Sequence, residues 1–429
     1  MSRELDVFLE DTRAGRLHEN AGIWSFGYDA AWLETGFPLA PGLPLQEGLL
    51  LDTGSKRPVQ WFFDNLLLEE AARTRLIASV ADDAAAPAWD AWRLLEHFGG
   101  ESAGALSLMP PGQAAAPGLI PLSDERLEAR ILAMPHAPLA AEALKKMSLA
   151  GAQEKLPVVV DAQGRLFEPV GSEVSTHILK PDAPSAHFPA SAVNEWFCAR
   201  VAQTLGLDVP AVTLRHVPST VYLIKRFDRT SMGSAPRRRH VLDAAQLLSL
   251  AAGAKYEMSG VLALQGVVAL SRVKAATRIA LFRWTLFNVL IGNGDAHLKN
   301  LSLFAGREGY VLAPHYDLVS TAAWARPDLM AQRERCWPNV ELSFPIGGAR
   351  YFEQLERQHL LQFAEALGLP AATANRELDR LINNVENAAD QVLAECTAMP
   401  APDRARAREM AMLRAIREVP VREMAAKLR

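Results

Sequence analysis

Two side chains five positions apart carry the chemistry most open to reading. In residues 291–304, IGNGDAHLKNLSLF, Asp295 and Asn300 stand on a polar stretch that follows an apolar-striped segment and leads into a short alternating one. A carboxylate so placed suits orienting an attacking hydroxyl and accepting its proton. An amide oxygen nearby suits Mg²⁺, a hard cation that takes oxygen ligands. A second carboxylate, Asp317, follows in HYD (315–317) and supplies a further metal ligand. Taken without Asp317, the pair also fits a polar helix-capping turn, where Asp and Asn are common.

Protein kinases place an Asp and an Asn at this spacing in the catalytic loop and a metal-binding Asp after the next hairpin. The rest of a phosphoryl-transfer site is sought upstream. Lys180 ends THILK (176–180), and Glu195 lies on the helix that follows. A strand Lys paired with a helix Glu positions the α- and β-phosphates of a nucleotide. Residues 148–155, SLAGAQEK, are small enough for backbone N–H groups to approach phosphate. Lys225, Arg226 and Phe227 end the last strand before the helical half, where a kinase hinge holds adenine through its backbone. Each has a plainer alternative: a surface Lys and Glu, a small-residue loop, a strand end with solvated charges. No GxxxxGK[ST] occurs, which disfavours a P-loop NTPase.

These residues need elements to hold them. Leu5 to Leu9 alternates as a strand, with DTRAG (11–15) as its turn. Residues 37–45 read as irregular or an edge, 61–73 and 89–97 as helices, and 105–109 as a strand. The Pro/Ala/Gly-rich 110–120 reads as a linker, and Ser123 opens a helix. Residues 158–160 and 166–170 form a hairpin around DAQGR, followed by the strand 176–180. An amphipathic helix over 193–205 and strands over 212–216 and 221–227 complete that block. The order strand, strand, strand, helix, strand, strand is that of a kinase-like N-lobe. Beyond Arg239 the chain turns helical. Residues 272–290 carry Ile279, Phe282, Leu286 and Leu290 on one stripe, and 300–304 with 310–312 flank GREG as a small hairpin.

Bulk composition agrees with a large folded enzyme. The 429 residues are 49% hydrophobic and 22% charged, which opposes extensive disorder and favours several domains or one bilobed body. A net charge of −4 opposes a surface that grips nucleic acid all over. Three scattered cysteines without a Cys-x-x-Cys pair fit a reduced cytoplasmic protein and give a zinc site no support. The charged N-terminus lacks the apolar core of a signal peptide, and no apolar run is long enough to span a bilayer.

A family resemblance now becomes specific. SLAGAQEK, HILKPD, NEW, KRFDR, KYE (255–257), GNGDAHLKN and HYD occur in the order found in HipA-family kinases. FFDNLLLE (62–69) and GGESAGAL (99–106) resemble the family's N-terminal region. The resemblance spans roughly residues 3–400. It implies an α+β, bilobed protein-kinase-like fold, with a mixed N-lobe, an extra N-terminal subdomain and a mostly helical C-lobe. The corresponding division is 1–110 subdomain, 111–145 linker and helix, 146–238 N-lobe core and 239–429 C-lobe.

By position, the resemblance implies Asp295 as catalytic base and Asn300 and Asp317 as Mg²⁺ ligands. Lys180 matches the ATP-phosphate lysine, with Glu195 positioning it. Ala150, Gly151, Ala152, Gln153, Glu154 and Lys155 match the phosphate-covering loop, and Lys225, Arg226 and Phe227 the adenine hinge. His297, Lys299 and Tyr316 match nucleotide contacts, and Ser148 the serine that such kinases phosphorylate on themselves. A phosphoserine there would repel ATP phosphates and act as an off switch. The family also implies a bacterial toxin kinase acting on an aminoacyl-tRNA synthetase, glutamyl-tRNA synthetase being the best-known target. It would be neutralised by a HipB-like helix-turn-helix antitoxin that brings it to operator DNA. The rivals are a small-molecule phosphotransferase and a catalytically silent corepressor. The sequence departs from the family at 239–248, RHVLDAAQLL, where Asp243 reads as structural. The basic stretch 404–422 reads either as DNA-facing or as a solvated helix face.

Overall fold

The computed structural model describes residues 2–68, 73–74, 77, 89–113, 116–134, 136–140, 143, 153–230, 236–325 and 336–429. The chain divides into two compact units. Unit 1 comprises Met1–Lys180, Lys225–Lys255 and Ser302–Ala313; unit 2 comprises Pro181–Ile224, Tyr256–Leu301 and Pro314–Arg429.

Unit 1 begins with a five-stranded antiparallel sheet in the order Leu49–Leu51, Ile23–Tyr28, Thr12–Asn20, Arg3–Leu9, Leu106–Met109. Leu5, Val7, Leu17 and Phe26 are fully buried on it, and Trp92 of the helix Ala91–Phe98 meets Trp24 edge-on at 5.2 Å. The turn is shorter than DTRAG suggests. Glu10 turns at φ 52°, and Leu9 already pairs with Thr12. Gly15 sits inside the second strand, where a Cβ would run into the Gly27 carbonyl, so its small size serves strand approach and not a turn.

Two further expectations are corrected in unit 1. The helix read over 61–73 is interrupted: one helix runs from Pro58 to Asp64, residues 65–68 are not helical, and Arg73 and Thr74 are helical again. Pro suits the first helical turn, and the Asn65 side chain donates back to the Trp61 carbonyl at the other end. The end of the supposed linker, Gly118–Pro121, is a strand paired with Leu166–Val170, because a sheet edge tolerates proline. From that edge the ladder continues through Leu156–Val160 to His177–Pro181, which ends in Lys180 and Pro181. A separate three-stranded sheet joins Val241–Asp243, Ser302–Gly306 and Gly309–Leu312. Asp243 is structural here: it caps the helix Ala244–Leu247 in a capping box with Gln246.

Unit 2 is largely helical. Its hairpin Val212–His216 with Thr220–Lys225 accompanies the helix Ser191–Thr204. That helix is not amphipathic as expected; it is buried on nearly all sides, because the 28-residue helix Ala371–Ala398 and the helix Asp403–Ile416 both pack on it. The helix Lys274–Leu290 buries Phe282, Leu286 and Leu290 completely, each contributing about 1.5–3 kcal/mol. A second hairpin, Glu341–Ile346 with Ala349–Tyr351, was not apparent from the sequence. Arginines of the basic C-terminal stretch are paired within the unit: Arg406 with Glu409, Arg417 with Asp390 and Glu386, Arg422 with Glu418. Among the described residues no helix is long and apolar enough to cross a membrane.

Candidate active site

The helix Lys274–Leu290 delivers the chain to the site in unit 2 and stops at Gly292, which turns at φ 65°. A Cβ at that position would press on Ala322 and Pro420, so both conformation and space require glycine. Beyond it the loop is held by a relay of buried amides. Asn288 donates to the Trp284 carbonyl at 2.8 Å, Asn293 donates to Asn288 Oδ1 at 2.8 Å, and the Asp295 N–H donates to Asn293 Oδ1 at 2.9 Å. Thr321 adds a second tie, accepting from the Gly294 N–H at 2.7 Å while donating to the Gly292 carbonyl. The backbone of Asp295 is thereby continuous with a rigid helix.

Asn300 is locked to Asp295. Its Nδ2 donates to the Asp295 carbonyl at 2.8 Å, and its backbone N–H donates to the His297 carbonyl at 2.9 Å. With the amide nitrogen so engaged, the amide oxygen is the atom left to serve as a ligand. His297 and Lys299, the two nucleotide-contact candidates of this loop, are both buried. The Tyr316 hydroxyl donates to the Lys299 carbonyl at 2.7 Å, tying the HYD segment to the loop.

Asp317 adopts φ 52°, a left-handed conformation that costs a non-glycine residue energy and clusters at functional sites. Its segment is anchored on both sides. The His315 N–H donates to the Asp208 carbonyl at 2.8 Å. Asn194, fully buried, grips Ser320 by donating to its carbonyl at 3.0 Å and accepting from its N–H at 2.8 Å. Glu195, next to Asn194, is only 6% exposed and so is no surface residue. Burial, and then the charges of Glu195 and Asp317, hold the Tyr222 phenol far above its ordinary pKa. His315, stacked on Trp284, is pushed down to about 4 by burial and is neutral at physiological pH.

Among the described residues no cluster of three or more His, Cys, Asp or Glu is placed to hold a metal ion unaided. Asn300 and Asp317 offer hard oxygen donors, a sparse set that suits Mg²⁺ sharing its coordination with nucleotide phosphates and water.

The upstream candidates lie in unit 1. Lys180 ends its strand 4% exposed, again no surface residue. Gln153, Glu154 and Lys155 are half-buried, and Glu154 accepts from the Leu139 N–H at 3.1 Å. Ser148, Ala150, Gly151 and Ala152 lie outside the described residues. Lys225 is exposed beside His177, whose pKa is pushed down to about 4 by burial and then by the Lys225 charge. Phe227 meets Phe304 edge-on at 6.0 Å.

Arg226 is neither solvated nor turned toward a ligand. Its guanidinium forks onto Asp228 at 3.0 and 2.7 Å and reaches Glu101 at 3.2 Å and Ser175 at 2.9 Å. Arg229 joins Glu101 at 2.7 Å, and Arg238 binds Ser107 and the carbonyls of Gly104 and Leu106. The Gly104 N–H donates to Asp228 at 2.7 Å. Burial, and then the Arg226 charge, lower Arg229 to about 10; Arg226 and Arg229 together hold Asp228 far below the usual carboxylate range against its burial. The GGES and KRFDR segments are thus two sides of one buried ion cluster. Asn194, Tyr256, Asn288 and Asn293 were not marked as site residues in the sequence, although all but Asn288 sit inside quoted motifs. Their partners are backbone or distant side chains, which a motif does not display.

Known proteins share this architecture along the whole chain. A model of the HipA-like C-terminal domain matches residues 147–391 and a model of the HipA N-terminal domain matches residues 5–109. A Sinorhizobium fredii protein named as a kinase is 33% identical over 92% of both chains. The serine/threonine-protein kinase toxin HipA of Shewanella oneidensis is 29% identical over 91% of this chain and 89% of its own. A solved assembly of Shewanella oneidensis HipA with HipB and operator DNA superimposes with a TM-score of 0.77 at 26% identity, covering 98% of this chain and 99% of the other. The fold is accordingly protein-kinase-like, and the chain belongs to the HipA family of serine/threonine-protein kinases.

Proposed function

We propose that the chain is a toxin kinase that transfers the γ-phosphoryl group of ATP to a serine or threonine hydroxyl of a protein. Asp295 accepts the hydroxyl proton as the new O–P bond forms; the bond from γ-phosphorus to the bridging oxygen breaks and ADP leaves. Asn300 and Asp317 would hold Mg²⁺, which neutralises charge on the phosphates when bound. Lys180 contacts the phosphates, and residues 150–155 cover them. Lys225 to Phe227 would hold adenine by backbone groups, since the Arg226 side chain is committed to its ion cluster. What supports this reading above all is the bond from the Asn300 amide to the Asp295 carbonyl, which makes base and metal ligand one rigid piece.

The name of the Shewanella oneidensis relative and the make-up of its solved assembly support the toxin role and the partner. The partner is a HipB-like antitoxin, through which the kinase reaches operator DNA. The substrate is an aminoacyl-tRNA synthetase of the glutamyl-tRNA synthetase type, and its phosphorylation stops charging and arrests growth. Ser148 is the site of self-modification. The test is γ-labelled ATP with Mg²⁺ on dephosphorylated wild type, Asp295→Asn and Ser148→Ala, followed by mass spectrometry. Label on Ser148 that requires Asp295 is expected. Bound ATP without transfer by wild type would overturn the reading in favour of a silent corepressor or a small-molecule acceptor.

A further inference from the structure

The relay of amides fixes the backbone of Asp295 but leaves its carboxylate unaccounted for. The torsion that swings a carboxylate about its Cβ–Cγ bond is broad and soft. A base must nevertheless present one oxygen to the acceptor hydroxyl at hydrogen-bond distance and in line. Something beyond the loop has to hold that torsion.

Tyr256 is placed to do so. Its hydroxyl donates to Asp295 Oδ1 at 2.6 Å, within the range of a bond to a charged acceptor. Among the described residues no other donor reaches this carboxylate, so Oδ2 is left for the substrate. The ring is itself held, packing edge-on against His297 of the same loop at 4.9 Å. The backbone beneath it is tied as well. The Ser259 N–H donates to the Tyr256 carbonyl, and Ser259 Oγ accepts from the Leu298 N–H at 3.1 Å. Residues 256–259 therefore brace the catalytic loop from outside at two points, on either side of His297. Yet Tyr256 is 46% exposed, which is not how a residue kept for core packing is placed.

We propose that Tyr256 is a positioning residue for phosphoryl transfer: it saturates Oδ1 of Asp295 and so aims Oδ2 at the acceptor hydroxyl. The proposal rests on the reading of Asp295 as the base. An aimed base affects the chemical step and leaves nucleotide binding alone, so the loss belongs in kcat and not in the half-saturating ATP concentration.

The experiment is single-turnover self-labelling of the dephosphorylated full chain with γ-labelled ATP and Mg²⁺ across a range of ATP concentrations. Wild type is compared with Tyr256→Phe and Asp295→Asn, and melting temperatures are taken in parallel. Tyr256→Phe keeps the ring against His297 and loses only the hydroxyl. It is expected to slow labelling about 10–100-fold at saturating ATP, with half-saturation and melting temperature unchanged. Wild-type rate in Tyr256→Phe, while Asp295→Asn is dead, overturns the role of Tyr256 and leaves the base standing. A loss seen only as a raised half-saturating ATP concentration overturns it too, assigning the residue to nucleotide binding. Labelling that survives in Asp295→Asn overturns the base assignment beneath the proposal.

Discussion

The arginine cluster of unit 1 and the loop of unit 2 proposed as catalytic are both dense in polar residues, and both lie in segments that carry the family resemblance. They use their polar atoms in opposite ways. In the cluster the bonds run inward: Arg226 to Asp228, Glu101 and Ser175, Arg229 to Glu101, Arg238 to carbonyls and Ser107. In the loop the amides of Asn288, Asn293 and Asn300 are bound to backbone or to each other, while Asp295 keeps one carboxylate oxygen without a donor among the described residues. A motif's rarity therefore identifies a family without saying which residues do chemistry. The distinction lies in whether charge is neutralised internally or held ready on a rigid frame.

The largest effect that separates the two regions is expected from Asp295→Asn. Phosphoryl transfer should fall by about 10²–10⁴-fold, with a denaturation midpoint like that of wild type, because among the described residues this carboxylate is bound only by the half-exposed Tyr256. A midpoint that falls with activity would mean that Asp295 is a structural residue, like those of the cluster.

Glu101→Gln should behave in reverse. It keeps the side-chain shape but removes the charge of one of the two buried carboxylates, Glu101 and Asp228, that pair with Arg226 and Arg229. Breaking a buried ion pair costs about 3–5 kcal/mol, so urea unfolding should show a loss of that size. A change below about 1 kcal/mol, the scale of an exposed pair, would show that the cluster is solvated and the contrast false.

Asn293→Ala tests the frame itself. It removes the acceptor of the Asp295 N–H and the donor to Asn288 in one step. Stability should fall by about 1–3 kcal/mol and transfer by about 100-fold, the scale of a misplaced reacting group. If stability falls and the transfer rate of the folded fraction does not, the relay holds the fold but not the base.

Much of this was legible in the sequence, and the limits have a physical cause. Asp295, Asn300 and Asp317 could be proposed from the sequence because their spacing is local and their chemistry specific. Lys180 and Glu195 were marked by strand and helix patterns, but their burial was not, since the sequence does not show which neighbours cover a strand end. The role of Arg226 was missed because its partners Glu101 and Ser175 stand far away in the chain. Gly15 was read as a turn because a glycine that admits a neighbouring carbonyl looks, in sequence, like one that permits a bend. The helix Ser191–Thr204 was taken as amphipathic because its polar residues, Asn194 and Glu195 among them, suggested a wet face; they are buried instead.

The smallest expected effect is a pH dependence that addresses the two regions separately. His240 in unit 1 and His315 in unit 2 are both pushed down to about 4, chiefly by burial. His240 meets the Leu39 carbonyl through Nε2, while its Nδ1 has no partner among the described residues, so protonation would place an unpaired N–H in the core. In the unfolded chain both titrate near the ordinary histidine value of about 6.5. Above that pH both states are neutral and the stabilisation is complete. As pH falls from there toward 4, the unfolded chain binds protons that the folded chain refuses, and stability is lost. At pH 5.5 the loss should be about 1 kcal/mol for each histidine. Urea midpoints at pH 7.5 and 5.5 measure it in wild type, in His240→Phe and in His315→Phe. Each variant should lose its own share of the pH slope whatever it does to the midpoint at pH 7.5. A slope untouched by His315→Phe would mean that water reaches His315 beside Trp284, and the loop that follows the Trp284 helix would then rest on a softer frame than the buried cluster of unit 1.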